Sequence, residues 1–345
     1  MFKKFKIKNK KRVVIISLLF VFFLGVGSFL GLMYGPYAGF RNFWVTTSMT
    51  TMTHQYLAKW FFSDEEIYKI LSMNGIIESS DNTNASLINV KSYNTNARFY
   101  KNKYEEEILK DSEGKLYKVI EVNGKKYQGY LVAIYDPSKV HVVTTRYLGK
   151  RGEAITTLSK EYDADVMING GGFYDPDWNS NGALPHGPVI VNSKLVSNYQ
   201  RANVGGGIVG FTKDDKLVLG KWTGEEALKM GVRDAVDFGP FLIVNGKSSF
   251  VKGNGGWGIA PRTAIAQRKD GIVLFLIING RIPTSIGADM SDLCEVLENY
   301  GAYNAANMDG GSSTELVINQ KIINKPVAAG KNGLRDLPTF WMVKE

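Results

Sequence analysis

The chain has 345 residues, a formal net charge of +9, 37 glycines and a single cysteine, Cys294. One cysteine excludes an intrachain disulfide, and abundant glycine without a collagen-like period favours a turn-rich, sheet-rich body over a helical bundle. The opening MFKKFKIKNKKR carries seven of the positive charges and no acid, so the remainder is near neutral at roughly +2 and no nucleic-acid partner is implied.

From Val13 to Pro36 the chain reads VVIISLLFVFFLGVGSFLGLMYGP without a charge. About 20 apolar residues span a bilayer, and the basic flank belongs on the cytoplasmic side, which puts the C-terminal body outside the cell membrane as a single-pass protein. A cleaved signal peptide is the alternative, but no small-residue cleavage site follows the long apolar core. Ser63 followed by Asp64, Glu65 and Glu66 marks the start of a helix over Ser63–Met73, because acids oppose the positive end of the helix dipole. Residues 78–113 are polar and aperiodic, and read as a linker or spacer.

The body begins near Leu116. YLVAIY (Tyr130–Tyr135) and VHVVTT (Val140–Thr145) read as strands joined at Asp136-Pro137, Gly152–Tyr162 has helical spacing, and Asp165–Asn169 is a short strand running into Gly170-Gly171-Gly172. Hairpins follow over Gly207–Trp222, Phe241–Phe250 and Thr263–Asn279, the last two pivoting on Asn245-Gly246 and Asp270-Gly271, dipeptides suited to type I′ turns. Ser291–Tyr300 is a helix with Asp289 as its cap, and a last hairpin lies around Ile318–Ile323. The fold class is therefore α+β: a sheet-rich mixed body with few helices behind one transmembrane helix. Its segments are a basic tail (1–12), an anchor (13–36), a juxtamembrane helix and spacer (37–115) and the main domain (116–345). A helix, short strand and glycine turn recur in DVMINGGGFY and AANMDGGSST; the echo reads either as an internal duplication or as chance.

Chemistry concentrates at those glycine turns. Asp309-Gly310-Gly311-Ser312-Ser313-Thr314 offers a carboxylate, backbone that a ligand can approach closely and exposed amides suited to an anion; a ligand-free tight turn is the plainer reading. Arg262 in GIAPRTAIAQ can present its fork to phosphate or carboxylate. Asp289 is a cap that can also face a site. Asp175 and Asp177 leave a divalent cation such as calcium open, although the EF-hand spacing is missing; no other cofactor is implied. His54, His141 and His186 are scattered, and a triad of Ser312, His186 and an aspartate has no supporting motif.

NGGGFYD with GPVIVNSKLV, DFGPFLIVNGK, APRTAIAQRKDGIVLFLIINGR, GADMSDLCEVLENYGAYNAANMDGGSST and VINQKIINKP occur in this order. From about Tyr130 to the C-terminus, the set resembles the phosphodiester glycosidase family. The N-terminal anchor with VTTSMTTMTHQYLAKWFF is similar to that of bacterial membrane members associated with exopolysaccharide biosynthesis. The resemblance implies hydrolysis of a sugar-1-phosphodiester between the anomeric carbon and the phosphate oxygen, with a phosphorylated glycan as substrate partner. Carried over by position, it implies catalytic roles for Asp309, Asp289 and Arg262. It implies substrate contacts from Asn169, Gly170, Phe173, Thr263, Arg281, Gly310, Gly311, Ser312, Ser313 and Thr314. Two departures stand out: Asn279-Gly280-Arg281 where Asp-Gly-Arg is common, and Ser312 where a third glycine is common. Asn279 is expected to be structural. A binding module for phosphorylated surface polysaccharide, without catalysis, and a serine hydrolase on Ser312 or Ser313 are the competing functions; the sequence leaves metal, stereochemistry and oligomeric state open.

Overall fold

The computed structural model describes residues 10–51, 54–91, 93, 99–175, 180–201, 205–327 and 333–345. Two compact units divide at Met73 and Asn74.

The first unit opens with the helix Lys10–Tyr34, whose exposed apolar side chains and 25 residues make it long enough to cross a bilayer, at about 37 Å. Three helices follow, Ala38–Thr50, Tyr56–Lys59 and Asp64–Met73. Met33, Val45, Ala58, Phe62, Ile67 and Ile70 form their shared core. Ser63 caps the last helix from outside it: its Oγ accepts the Glu66 amide at 3.3 Å, and Glu66 Oε2 accepts the Ser63 amide at 2.9 Å.

The second unit is a layered, sheet-rich body. A seven-stranded antiparallel sheet orders its strands Lys247–Ser248, Phe241–Val244, Ala302–Asn307, Arg262–Arg268, Val273–Ile278, Gln128–Ile134 and Tyr117–Asn123. The run VLFLII is buried throughout because both faces of this sheet are covered. Leu274, Leu276 and Ile278 face Leu293, Val296 and Leu297 of the helix Met290–Asn299. Val273, Phe275 and Ile277 face the opposite way, into a core shared with two five-stranded sheets. One of these holds Val166–Asn169 between Leu316–Ile318 and Thr339–Val343; the other holds Gly187–Val191 between Val232–Phe238 and Lys194–Tyr199.

Several sequence expectations are corrected. Described parts of the stretch read as a spacer are folded against the body: Glu78 Oε1 accepts the Phe241 amide at 2.7 Å, and Ile108 and Leu109 of a helix capped by Asn102 enter the core. Its polar surface hid the two apolar residues that dock it. The helix expected from Gly152 starts at Ile155, because Glu153-Ala154 pairs with Asp336-Leu337 as a short strand. Asn245 and Gly246 both have positive φ, as a type I′ turn requires, whereas at Asp270-Gly271 only the glycine does. There the Gly271 amide closes on the Arg268 carbonyl, and Asp270 instead pairs with the Arg268 guanidinium at 2.7 Å.

Candidate active site

The strands Val166–Asn169 and Ala302–Asn307 lie in different sheets, yet their glycine turns meet. The Asn169 amide group donates to the Asp309 carbonyl at 2.6 Å, and the Asp309 N–H donates to the Gly170 carbonyl at 3.3 Å. Asn169 Oδ1 receives the Thr263 hydroxyl at 2.7 Å and the Glu315 N–H at 3.3 Å. Asn169 and Thr263 are buried with their hydrogen bonds made inside the protein, so they tie the two turns and the Arg262–Arg268 strand into one frame.

Asp309 retains partial access to solvent, but its surroundings are dense. Burial raises its carboxyl above the ordinary carboxylate range, against the opposing pull of Ser313, Arg335 and the Gly310 amide. Gly310 and Gly311 do not supply the anion-binding amides expected of them: the first N–H donates to Asp309 Oδ1 at 3.0 Å and the second to the Pro261 carbonyl at 2.9 Å. What the glycines supply is room. A Cβ on Gly310 would sit 3.0 Å from the Pro261 oxygen, and one on Gly311, whose φ is +63°, would sit 3.4 Å from the Arg281 guanidinium.

Two arginines flank that pair. Arg262 is 5% exposed and donates to three carbonyls, Ala288 at 3.1 Å, Trp257 at 2.6 Å and Gly258 at 2.7 Å. It has no carboxylate partner among the described residues; Asp289 and Asp292, the acids that act on it through space, both pair with Lys126, at 2.6 and 2.9 Å. Burial, helped by nearby Arg281, lowers the Arg262 pKa to about 10, which leaves it charged at neutral pH. Arg281 is exposed and its guanidinium makes no hydrogen bond or ion pair with a described residue. A buried cation held only by carbonyls is costly unless an anion joins it.

Asp289 caps the helix Met290–Asn299, accepting the Asp292 amide at 3.1 Å while Asp292 accepts its own at 2.7 Å. Its carboxylate is thus occupied by the cap and Lys126, one residue from the carbonyl that holds Arg262. Phe173 is buried under the Arg335 guanidinium, 4.6 Å from the ring centre. Arg335 also donates to Ser312 Oγ at 3.3 Å and pairs with Asp175. Asp175, left open as a cation ligand, has Arg335 as its partner; Asp177 lies outside the described residues. Ser313 and Thr314 are buried, and neither hydroxyl has a hydrogen-bond partner of good geometry among the described residues. His186 Nδ1 engages the Gln200 carbonyl at 2.9 Å, and no serine of the turn pairs with it, so no Ser-His pair is assembled. Asn279 Oδ1 accepts the Lys325 amide at 2.8 Å, a task an aspartate would also perform.

Arg335 and Glu315 had not been singled out in the sequence. Arg335 sits in NGLRDLP, which matches no motif. Glu315 directly follows the Asp309–Thr314 turn and is wholly buried; Oε1 accepts the Arg335 amide at 2.9 Å, Oε2 has no partner among the described residues, and burial raises its pKa to about 8. Between about pH 4.5 and 8 the unfolded chain has released this proton and the folded chain keeps it, so rising pH lowers stability by up to about 1.4 kcal/mol per unit from this group. Glu315→Gln removes that loss. Its melting temperature relative to the parent should climb from pH 5 to pH 8; a difference that stays flat with pH would contradict a protonated Glu315.

A family model described as phosphodiester glycosidase matches residues 162–344, just over half the chain, including Asn169, Arg262, Arg281, Asp289, Asp309 and Arg335. The chain belongs to this family. It is 28% identical over 199 residues to the SPbeta prophage-derived protein YomE of Bacillus subtilis strain 168, an alignment that covers 55% of this chain and 30% of that longer protein. The fold resembles the zebrafish N-acetylglucosamine-1-phosphodiester α-N-acetylglucosaminidase catalytic domain auto-inhibited by its pro-peptide. That match has 18% identity and a TM-score of 0.54, and covers 78% of this chain and 100% of the zebrafish one.

Proposed function

We propose that this member of the family hydrolyses a sugar-1-phosphodiester in a cell-surface or exopolysaccharide glycan. The apolar helix would hold it in the cell membrane with the body outside. The observation that carries the reading is Arg262: among the described residues this buried guanidinium has no carboxylate and its neighbour Arg281 is unpaired, and both lie by a glycine turn that leaves space, next to a carboxylate raised by burial. A phosphodiester supplies the missing anion.

Asp309 then serves the anomeric carbon, as nucleophile or as base on the attacking water. The bond from that carbon to the phosphate oxygen breaks, a water oxygen ends on the carbon, and the phosphomonoester leaves with the electron pair. Because that leaving group is a weak base, the site needs no strong general acid. Arg262 and Arg281 hold the phosphate and oppose its growing charge; Asn169 and Thr263 fix the turn that carries Asp309. Asp289 keeps Lys126 and the helix start in place behind Arg262. The full-length protein in detergent, incubated with a panel of α-linked sugar-1-phosphate diesters including N-acetylglucosamine, is expected to release free reducing sugar. Release of inorganic phosphate or alcohol without reducing sugar would place the cleavage elsewhere and refute the assignment.

A further inference from the structure

Beside this site lies a group of three aromatic rings that the proposed chemistry does not use. Residues 172–174 run antiparallel to 184–186: the Tyr174 amide donates to the Leu184 carbonyl and the His186 amide to the Gly172 carbonyl, each at 2.8 Å. The chain continues from His186 into the strand Gly187–Val191, where Gly187 is paired with Tyr199. Tyr174, His186 and Tyr199 are thereby brought alongside one another on three adjacent segments. Ring centres are 6.2 Å apart for Tyr174 and His186, 5.7 Å for Tyr174 and Tyr199, and 6.5 Å for His186 and Tyr199. His186 and Tyr199 are inclined by only 32°, whereas Tyr174 stands at 89° to His186 and 61° to Tyr199. The result is a broad aromatic floor with an upright ring at its side.

This group is open to solvent and polar at its rim. Tyr174 is 43% exposed, and His186 and Tyr199 are part-exposed. Neither tyrosine hydroxyl has a partner among the described residues. His186 Nδ1 faces a carbonyl and so must donate, leaving Nε2 of the neutral ring as an acceptor. It also adjoins the proposed cleavage site. Tyr174 directly follows Phe173, the ring under Arg335, and Arg335 reaches Ser312 in the turn that carries Asp309.

We propose that Tyr174, His186 and Tyr199 form a subsite for a pyranose ring of the substrate glycan outside the scissile bond. A pyranose has an apolar face of C–H groups and an equatorial rim of hydroxyls. The floor takes the face, and the two tyrosine hydroxyls and His186 Nε2 meet the rim; tyrosine suits this because it joins an apolar body to a polar tip. The proposal rests on the sugar-phosphodiester reading for its ligand and predicts that recognition extends past the phosphate into the polymer.

The test compares two substrates of the full-length protein: a methyl diester of α-N-acetylglucosamine 1-phosphate, and the same diester with a tetrasaccharide of N-acetylglucosamine in place of the methyl group. Parent enzyme should show a lower KM for the longer one. Tyr174→Ala and Tyr199→Ala should each raise that KM about tenfold, a loss on the scale of one aromatic contact. Both variants should leave the methyl diester constants within about twofold, and Tyr174→Phe should keep most of the long-substrate advantage. Equal effects on both substrates, or no effect on either, would overturn the subsite. If the parent enzyme cleaves neither diester, the hydrolytic reading fails by itself. Calorimetric titration with the free tetrasaccharide then decides the subsite: binding lost in the Tyr174→Ala/Tyr199→Ala protein supports it, and no binding to the parent overturns it.

Discussion

Asp309→Asn is expected to fold and to lose about 10²- to 10⁴-fold in sugar release, the usual range for removing a positioned acid-base group. The amide oxygen can still accept the Gly310 N–H that Asp309 Oδ1 now receives, so the turn keeps its closure. What disappears is the negative charge proposed to serve the anomeric carbon. Because burial raises the Asp309 pKa, the folded protein holds that proton at pH values where the unfolded chain has released it. The ionised residue therefore costs stability as pH rises through its folded pKa. The variant should melt no lower than the parent near neutral pH, and its relative advantage should vanish in acid, where both are uncharged at this position. In the parent, kcat/KM should fall on the acid side at a pH above the ordinary carboxylate range, since Asp309 must be ionised to act. A variant with parental turnover would refute the assignment; one that melts much lower would show that Asp309 holds the turn together.

How much of this was visible in the sequence depends on the range of the interaction that carries it. Local signals read well: the Ser63-Glu66 capping box, the Asp289 cap and the Asn245-Gly246 turn all follow from residues a few positions apart. The motif with Asp309 was also conspicuous, because a carboxylate and paired glycines at the end of an apolar strand have few ordinary explanations. Roles that depend on distant partners were not legible. Gly310 and Gly311 looked like anion-binding amides until Pro261 and the Asp309 side chain were found accepting their protons. Asp175 read only as part of a polar loop that left a cation open, and nothing local pointed to Arg335, 160 residues away, as its partner. Glu315 gave no hint of burial, since an acid after a run of hydroxyls reads as surface. The spacer failed for a related reason: most of its side chains are polar, and Ile108 and Leu109 anchor it through a core assembled from other parts of the chain.

The arginines make the sharpest contrast between stability and function, because they flank one glycine pair but differ in what holds them. Arg281 is an exposed residue whose guanidinium has no partner among the described residues, so Arg281→Ala should change stability by less than about 0.5 kcal/mol. If it holds the phosphate, the same change should raise KM about tenfold or more through loss of a charge-assisted contact. Arg262 spans three carbonyls with its Nε and Nη2 donors. A lysine at that position presents one compact ammonium in place of a planar fork and leaves some of those carbonyls short of a donor. Arg262→Lys should therefore lower stability by about 1–3 kcal/mol as well as reduce kcat/KM by about 10²-fold. A phosphate-bearing ligand adds a further discriminator. At 100 times its dissociation constant, a phosphate diester should stabilise the parent by about 2.7 kcal/mol, and this gain should shrink in both variants. If Arg281→Ala leaves both KM and the ligand-induced rise in melting temperature at parental values, Arg281 does not touch the phosphate. If Arg262→Lys loses stability but keeps the ligand-induced rise, Arg262 is a strut for the Trp257–Gly258 and Ala288 loops, and the anion must be held elsewhere.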